Sequence, residues 1–112
     1  MSLLILYLSA TQAGGKSPTV AIAMDGVVLG LVTVTASHAS GATQAATFQN
    51  SWTLGAYHVL TLTPTLLAGA SLWIEGATFN GLPMPVNAQQ ITAPFSLRFL
   101  ALPGVSQSAL LV

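Results

Sequence analysis

Two carboxylates, two imidazoles and two cations make up the charged chemistry of this 112-residue chain: Asp25 and Glu75, His38 and His58, Lys16 and Arg98. A Ser–His–Asp relay could be drawn from them, since serines are plentiful. No Gly-x-Ser-x-Gly elbow marks a nucleophile, however. Paired-carboxylate glycoside hydrolysis would need both acids at one place. Asp25 is already accounted for by Asp25-Gly26, the dipeptide that builds two-residue hairpin turns. With no cysteine in the chain, two histidines make a poor zinc set. His58 stands between Tyr57 and Val59 in an alternating run and reads as a packed or hydrogen-bonded strand residue. His38, in the small-residue stretch Ala36-Ser-His-Ala-Ser-Gly-Ala42, reads as solvent-facing. The expectation is a non-enzymatic protein with no catalytic residue, no metal ligand and no cofactor.

Binding chemistry is better represented. An indole in a loop has an apolar face to offer and an N–H that needs a partner. Trp52 lies in a predicted turn, Asn50-Ser51-Trp52, beside Gln49. Stacking on a sugar ring framed by amides and hydroxyls is the chemistry that set could perform. Trp52, Gln49, Asn50 and His38 are therefore the candidate glycan or partner contacts. Trp73, in an apolar strand, reads as core packing.

Charge limits the partners. Charged residues are 4% of the chain and apolar residues 53%, against about 25% charged in an ordinary soluble domain. Two cations cannot build the basic patch that nucleic acid requires. Disorder needs low hydrophobicity or high charge, and the chain has neither. Mean hydropathy is +0.75, yet no window of about 20 residues is continuously apolar, so no helical membrane span is expected. The apolar stretch at residues 3–8 has no basic residue before it and is a poor signal peptide. It also lacks the alternation of a transmembrane barrel strand. A surface this poor in charge favours association, since obligate interfaces are depleted in charged residues.

The elements that must position these residues read as strands. Residues 3–8 (Leu-Leu-Ile-Leu-Tyr-Leu) form a short strand expected to be buried on both faces. Residues 19–24 and 27–35 flank Asp25-Gly26 as a hairpin. A strand follows at residues 43–48, with a turn at 50–55. The next run, from Ala56, places Tyr57, Val59 and Thr61 on one face and His58, Leu60 and Leu62 on the other, and Pro64 is expected to end it. Residues 71–75 form another strand, and Asn80-Gly81 is a second turn signal. Pro83 and Pro85 block regular pairing. Residues 91–102 and 106–112 read as two final strands. No stretch has helical periodicity with caps. About eight short strands at this spacing predict an all-β fold, an antiparallel β-sandwich of jelly-roll type, in a single domain.

Three stretches resemble calcium-dependent xylan-binding carbohydrate-binding modules. They are Val20-Ala-Ile-Ala-Met-Asp-Gly-Val-Val-Leu-Gly30, Leu54-Gly-Ala-Tyr-His-Val59 after Phe48, and Ser71-Leu-Trp-Ile-Glu-Gly-Ala-Thr-Phe-Asn-Gly81. The resemblance implies a module-like core at residues 3–81 and a C-terminal extension at 82–112 with one or two further strands. It also implies calcium ligands that this chain lacks. Pro64-Thr65 and residues 69–71 stand where the family has acidic ligands, and only Glu75 is near.

Two functions follow as expectations. The first is a structural or interaction subunit of a larger assembly, of virion decoration, fibre or tail type. Glycan attachment would be an added capacity, and a virion or extracellular particle the setting. Its partners would be other protein subunits, as homo- or hetero-oligomer, and surface polysaccharide. Arg98 and Leu100, on the outer face of an alternating strand with Phe95, Leu97 and Phe99 inward, would lie at the interface. The alternative is a free-standing polysaccharide-binding module.

Overall fold

The computed structural model describes residues 1–66 and 68–104; the expected strand at 106–112 lies outside them. Nine strands follow one another: β1 (Ser2–Thr11), β2 (Thr19–Met24), β3 (Val27–Thr33), β4 (Gln44–Asn50), β5 (Tyr57–Thr65), β6 (Ser71–Phe79), β7 (Leu82–Pro83), β8 (Gln89–Gln90) and β9 (Phe95–Leu100). They form two antiparallel sheets. The first runs β4-β1-β6-β7, with β8 also paired to β6, and the second runs β3-β2-β5-β9. Among the described residues there is no helix. The sheets face each other across one core, the β-sandwich expected from the alternation.

Period-two patterning decides which side chains fill that core. Leu4, Leu6 and Leu8 of β1, Val20, Ile22 and Met24 of β2, Leu60 and Leu62 of β5, and Leu72 and Ile74 of β6 are buried together. The intervening Leu3, Ile5 and Tyr7 of β1 are half-buried. Burial of β1 on both faces was expected and is corrected. Among the described residues no helix covers the outer face, as is usual for antiparallel sheets. Phe95, Leu97 and Phe99 point inward and Ser96, Arg98 and Leu100 outward, as the alternation of β9 requires.

Both predicted turns form, and each residue before glycine also ties down a third strand. Asp25 and Gly26 have φ of 53° and 81°, the left-handed pair that a two-residue turn of type I′ needs. The Asp25 carboxylate then accepts the Val59 N–H at 2.8 Å. Asn80 and Gly81 repeat the geometry with φ of 51° and 81°. The Asn80 side chain accepts the Leu3 N–H at 2.8 Å and donates to the Leu102 carbonyl at 3.0 Å.

Pro64 does not end its strand, because β5 continues to Thr65. Asp25 N–H bonds to the Val59 carbonyl, so odd-numbered residues of β5 aim their backbone at β2 and even-numbered ones at β9. The β9 pairing stops at Leu62 opposite Phe95. Pro64 therefore faces an open edge, where its missing N–H costs nothing in the ladder. The strand expected from residue 91 begins at Phe95 instead. Ile91 is a buried plug whose N–H bonds to the Leu72 carbonyl.

Candidate functional site

The residue-level candidates separate to two ends of the sandwich. Trp52, in the connection from β4 to β5, stands at the end where β1 begins. Its indole tilts against Phe79 with ring centroids 5.8 Å apart and is half-buried. Beside it opens a cleft of about 260 Å³ lined by Met1, Ser2, Ser51, Trp52, Leu54, Asn80 and Pro103. Enclosed small-molecule pockets run to roughly 300–1,000 Å³, so this is a small, open surface cleft. The side chains around it carry no charge. Asn50 is not among the lining residues; its side-chain Oδ1 accepts the Ser51 N–H at 2.8 Å. Gln49 is exposed on β4, paired with Leu3. Ser2, Asn80 and Pro103 come from distant parts of the chain, and no sequence signal joined them to Trp52. Asn80 was visible only as a turn residue.

His38 lies elsewhere. Ser2 and Ser9 are separated by about 23 Å along β1 at ordinary strand rise, and His38 contacts Ser9. The loop carrying it runs beside the end of β1: Ala10 donates to the Ala36 carbonyl at 2.8 Å and His38 N–H to the Ala10 carbonyl at 3.0 Å. The imidazole lies flat on the indole of Trp73, with centroids 3.6 Å apart and planes 5° from parallel. Trp73 is thus on the outer face of its sheet, half-buried under His38, and the core position expected for it is corrected. A register irregularity between Tyr7 and Leu8 displaces β6 so that Gly76 and Ile74 face consecutive residues of β1. Glu75 is the extra residue of this bulge. Its carboxylate accepts the Ser9 hydroxyl at 2.6 Å and His38 Nδ1–H at 2.8 Å. The Ser9 hydroxyl holds the Glu75 carboxyl below its ordinary value; burial opposes this and His38 adds to it.

Serine, histidine and carboxylate therefore meet, but in the wrong order for nucleophilic catalysis. A relay needs the imidazole between the other two, one ring nitrogen on each. Here serine and imidazole both donate to the carboxylate through Oγ and Nδ1. Ser9 is fully buried.

The second pair joins Asp25 and His58. His58 is buried on β5, and its Nδ1 hydrogen-bonds Asp25 Oδ2 while Nε2 reaches the Thr53 carbonyl at 2.8 Å. Both neighbours are acceptors, an arrangement that only the doubly protonated ring satisfies in full. The hydrogen bond to Asp25, then that to Thr53, raises the His58 pKa above its ordinary 6.5, against the opposing effect of burial. His58, then the Val59 N–H, lowers that of Asp25.

Arg98 and Leu100 lie on the outer face of the second sheet. The Arg98 guanidinium sits 4.1 Å from the centre of the Tyr57 ring. Val28, Leu31, Tyr57 and Leu100 are 67%, 69%, 58% and 40% exposed. They give this face exposed apolar side chains around the one arginine.

No protein-family model matches the sequence, and no curated protein matches it. Among solved structures the fold is similar to that of vCBM60 in its selenomethionine form. That protein was described with a circular permutation linking two families of calcium-dependent carbohydrate-binding modules. The TM-score is 0.62, over 88% of this chain and 90% of the other, at 14% identity. The likeness is one of fold, and it agrees with the resemblance read from the three sequence stretches.

Calcium does not fit the residues present. It takes about six to eight oxygens with carboxylates among them. Thr65 ends β5 and Ser71 begins β6, and no acid lies between them. Glu75 is engaged by Ser9 and His38, and Asp25 by His58 on the other sheet. Among the described residues no three of His, Cys, Asp or Glu gather at one place.

Proposed function

We propose that the chain, as one domain over residues 1–112, is a carbohydrate-binding module that takes a neutral polysaccharide at the Trp52 cleft without calcium. The observation that carries this reading is the make-up of the cleft: a half-buried indole beside the Ser51 hydroxyl, Leu54 and Pro103, with no charged side chain. The Asn80 amide and the buried Ser2 hydroxyl that also line it are bonded to each other and to the backbone. Neutral sugars offer hydroxyls to Ser51 and an apolar ring face to the indole. The likeness in fold to vCBM60 supports the class. The test is retention on insoluble xylan and on a panel of other neutral polysaccharides, with a chelator present throughout. Wild type is expected to be retained by at least one polymer, and Trp52→Ala to lose about tenfold or more in affinity. Absence of retention on every polymer overturns the reading.

A second reading rests on the outer face of the β3-β2-β5-β9 sheet, whose exposed apolar side chains around Arg98 suit contact with another protein. Arg98→Glu is then expected to weaken self-association or partner binding while leaving the fold intact. Sedimentation as a monomer at tens of micromolar with no partner captured removes it. A virion setting draws no support from the comparisons.

A further inference from the structure

We propose that His58, as an imidazolium, is the strut that sets the Trp52 loop, so that the cleft is formed while the ring holds both protons and slackens when it loses one. This rests on the reading of the cleft as the carbohydrate site. His58 is a positioning residue here, since nothing brings it into contact with the ligand.

The loop at residues 51–56 has few described tethers. Ser51 N–H bonds to the Asn50 side chain at its start, and Gly55 N–H to the Ala101 carbonyl at 2.7 Å near its end. Between them the Thr53 carbonyl accepts from His58 Nε2 at 2.8 Å. Thr53 is flanked by Trp52 and Leu54, both of which line the cleft. That hydrogen bond ties the backbone in the middle of the loop, alongside the packing of Trp52 on Phe79 and the Ala101 N–H bond to the Ala56 carbonyl at 2.9 Å.

A neutral imidazole has a single N–H, and His58 has two acceptors to serve. A carboxylate is the stronger acceptor, because charge-assisted hydrogen bonds are roughly twice as strong as neutral ones. The remaining proton therefore stays on Nδ1, facing Asp25. Nε2 then turns a lone pair toward the Thr53 carbonyl, and the loop loses its tether. Asp25, from the β2–β3 turn, is the charged group in contact with the ring among the described residues. From β9 the ring meets Phe99, at 6.1 Å between centroids. Arg98 and Tyr57 lie together on the outer face of the sheet, and the loop offers the ring only a backbone carbonyl. Hydrogen bonding by Asp25 and Thr53 stabilises the protonated ring in the fold.

The experiment follows the full chain by nitrogen-15 NMR from about pH 5 to about pH 9, bracketing the histidine range. The His58 ring, the Trp52 indole N–H and the amides of Thr53 to Gly55 are read together. The loop signals are expected to move with the His58 midpoint. Asp25→Asn should carry both to lower pH, since the amide no longer stabilises the imidazolium. Asn before Gly keeps the type I′ turn, so this variant is expected to fold. Loop signals that ignore the His58 midpoint, or a loop midpoint unmoved by Asp25→Asn, overturn the proposal. With xylan as the probe, affinity is expected to fall by about tenfold or more across the same midpoint, the worth of one hydrogen bond to a charged group. A pH-independent affinity overturns the strut and leaves the binding site standing. If no polysaccharide is retained at any pH, the carbohydrate reading fails, and the NMR arm still decides whether His58 sets the loop.

Discussion

Each sheet of this sandwich holds one histidine–carboxylate pair, and the two pairs are used differently. In Asp25–His58 the ring is buried and both nitrogens are consumed, one by a turn carboxylate and one by a loop carbonyl. In Glu75–His38 the ring is laid over Trp73 at the surface, and only Nδ1 is engaged, by Glu75 and Ser9. Exposure of the imidazole is 9% in the first pair and 38% in the second. The same two functional groups thus make a fixed cross-brace in one sheet and a surface clasp in the other. Burial makes the difference. A hydrogen bond to a charged group is worth about 1.5–3 kcal/mol when dry and an exposed ion pair roughly 0–1 kcal/mol. The Asp25–His58 bond falls between them, because its ring is buried but the Asp25 carboxylate is 46% exposed.

The largest expected effect of that contrast is on stability. His58→Ala removes two such hydrogen bonds and leaves a hole beside Phe99, and should cost about 3 kcal/mol. Urea unfolding would show this as a lower midpoint at unchanged slope. A cost no greater than that of His38→Ala would break the comparison.

Next comes the dependence of stability on pH. His58 has its pKa raised in the fold, so its contribution is complete below the ordinary 6.5 and is lost as pH rises through the raised folded value. Asp25 and Glu75 have theirs lowered from ordinary values of 3.8 and 4.5. Their contributions are complete above those values and are lost as pH falls through the lowered ones. Stability should therefore be greatest between about pH 4.5 and about pH 6.5. His58 supplies the alkaline decline and the two acids the acid decline. Thermal melts across pH should show the alkaline decline reduced in Asp25→Asn and unchanged in Glu75→Gln.

A smaller effect is expected at the clasp. His38→Ala should cost less than about 1 kcal/mol and uncover the indole of Trp73, shifting tryptophan emission to the red. An unshifted spectrum would mean that the stack does not shield the indole. The smallest effect concerns metal. A native-state ligand raises stability by RT ln(1 + [L]/Kd), so a working calcium site would show plainly at millimolar metal. With both acids taken by histidines, the melting temperature is expected to be the same in calcium and in chelator. A drop of several degrees in chelator would expose ligands that neither pair accounts for.

Much of this arrangement could be read along the chain because its causes are local. Asp25-Gly26 and Asn80-Gly81 specify type I′ turns through their own φ preferences. His58, Leu60 and Leu62 are sorted to one face by a period of two, whereas the unbroken apolar run at residues 3–8 carries no such signal and only the sheet shows that Leu4, Leu6 and Leu8 are its buried face. Pro64 shows where such reading stops. Its effect depends on whether a neighbouring strand wants the missing N–H, and that is a property of the sheet edge. Trp73 shows the same for burial. Its strand is apolar, but its face is the outer one, and what covers it arrives from residue 38.

The candidate site divides along the same line. Trp52 in a polar turn stood out by residue type and neighbours, but His58 read only as a packed or hydrogen-bonded strand residue, and His38, named beside Trp52, lies at the other end of β1. The cleft itself joins Ser2, Ser51, Asn80 and Pro103, and the bulge that delivers Glu75 to Ser9 and His38 exists only where β1 meets β6. The sequence by itself determined an all-β chain with almost no charge, its turns, its inward faces and its shortage of acids for calcium. The tertiary structure alone decided which imidazole meets which carboxylate. Turn and strand preferences act over a few residues, whereas hydrogen bonds between residues 25 and 58, or 38 and 75, depend on strand order and register that no local pattern encodes.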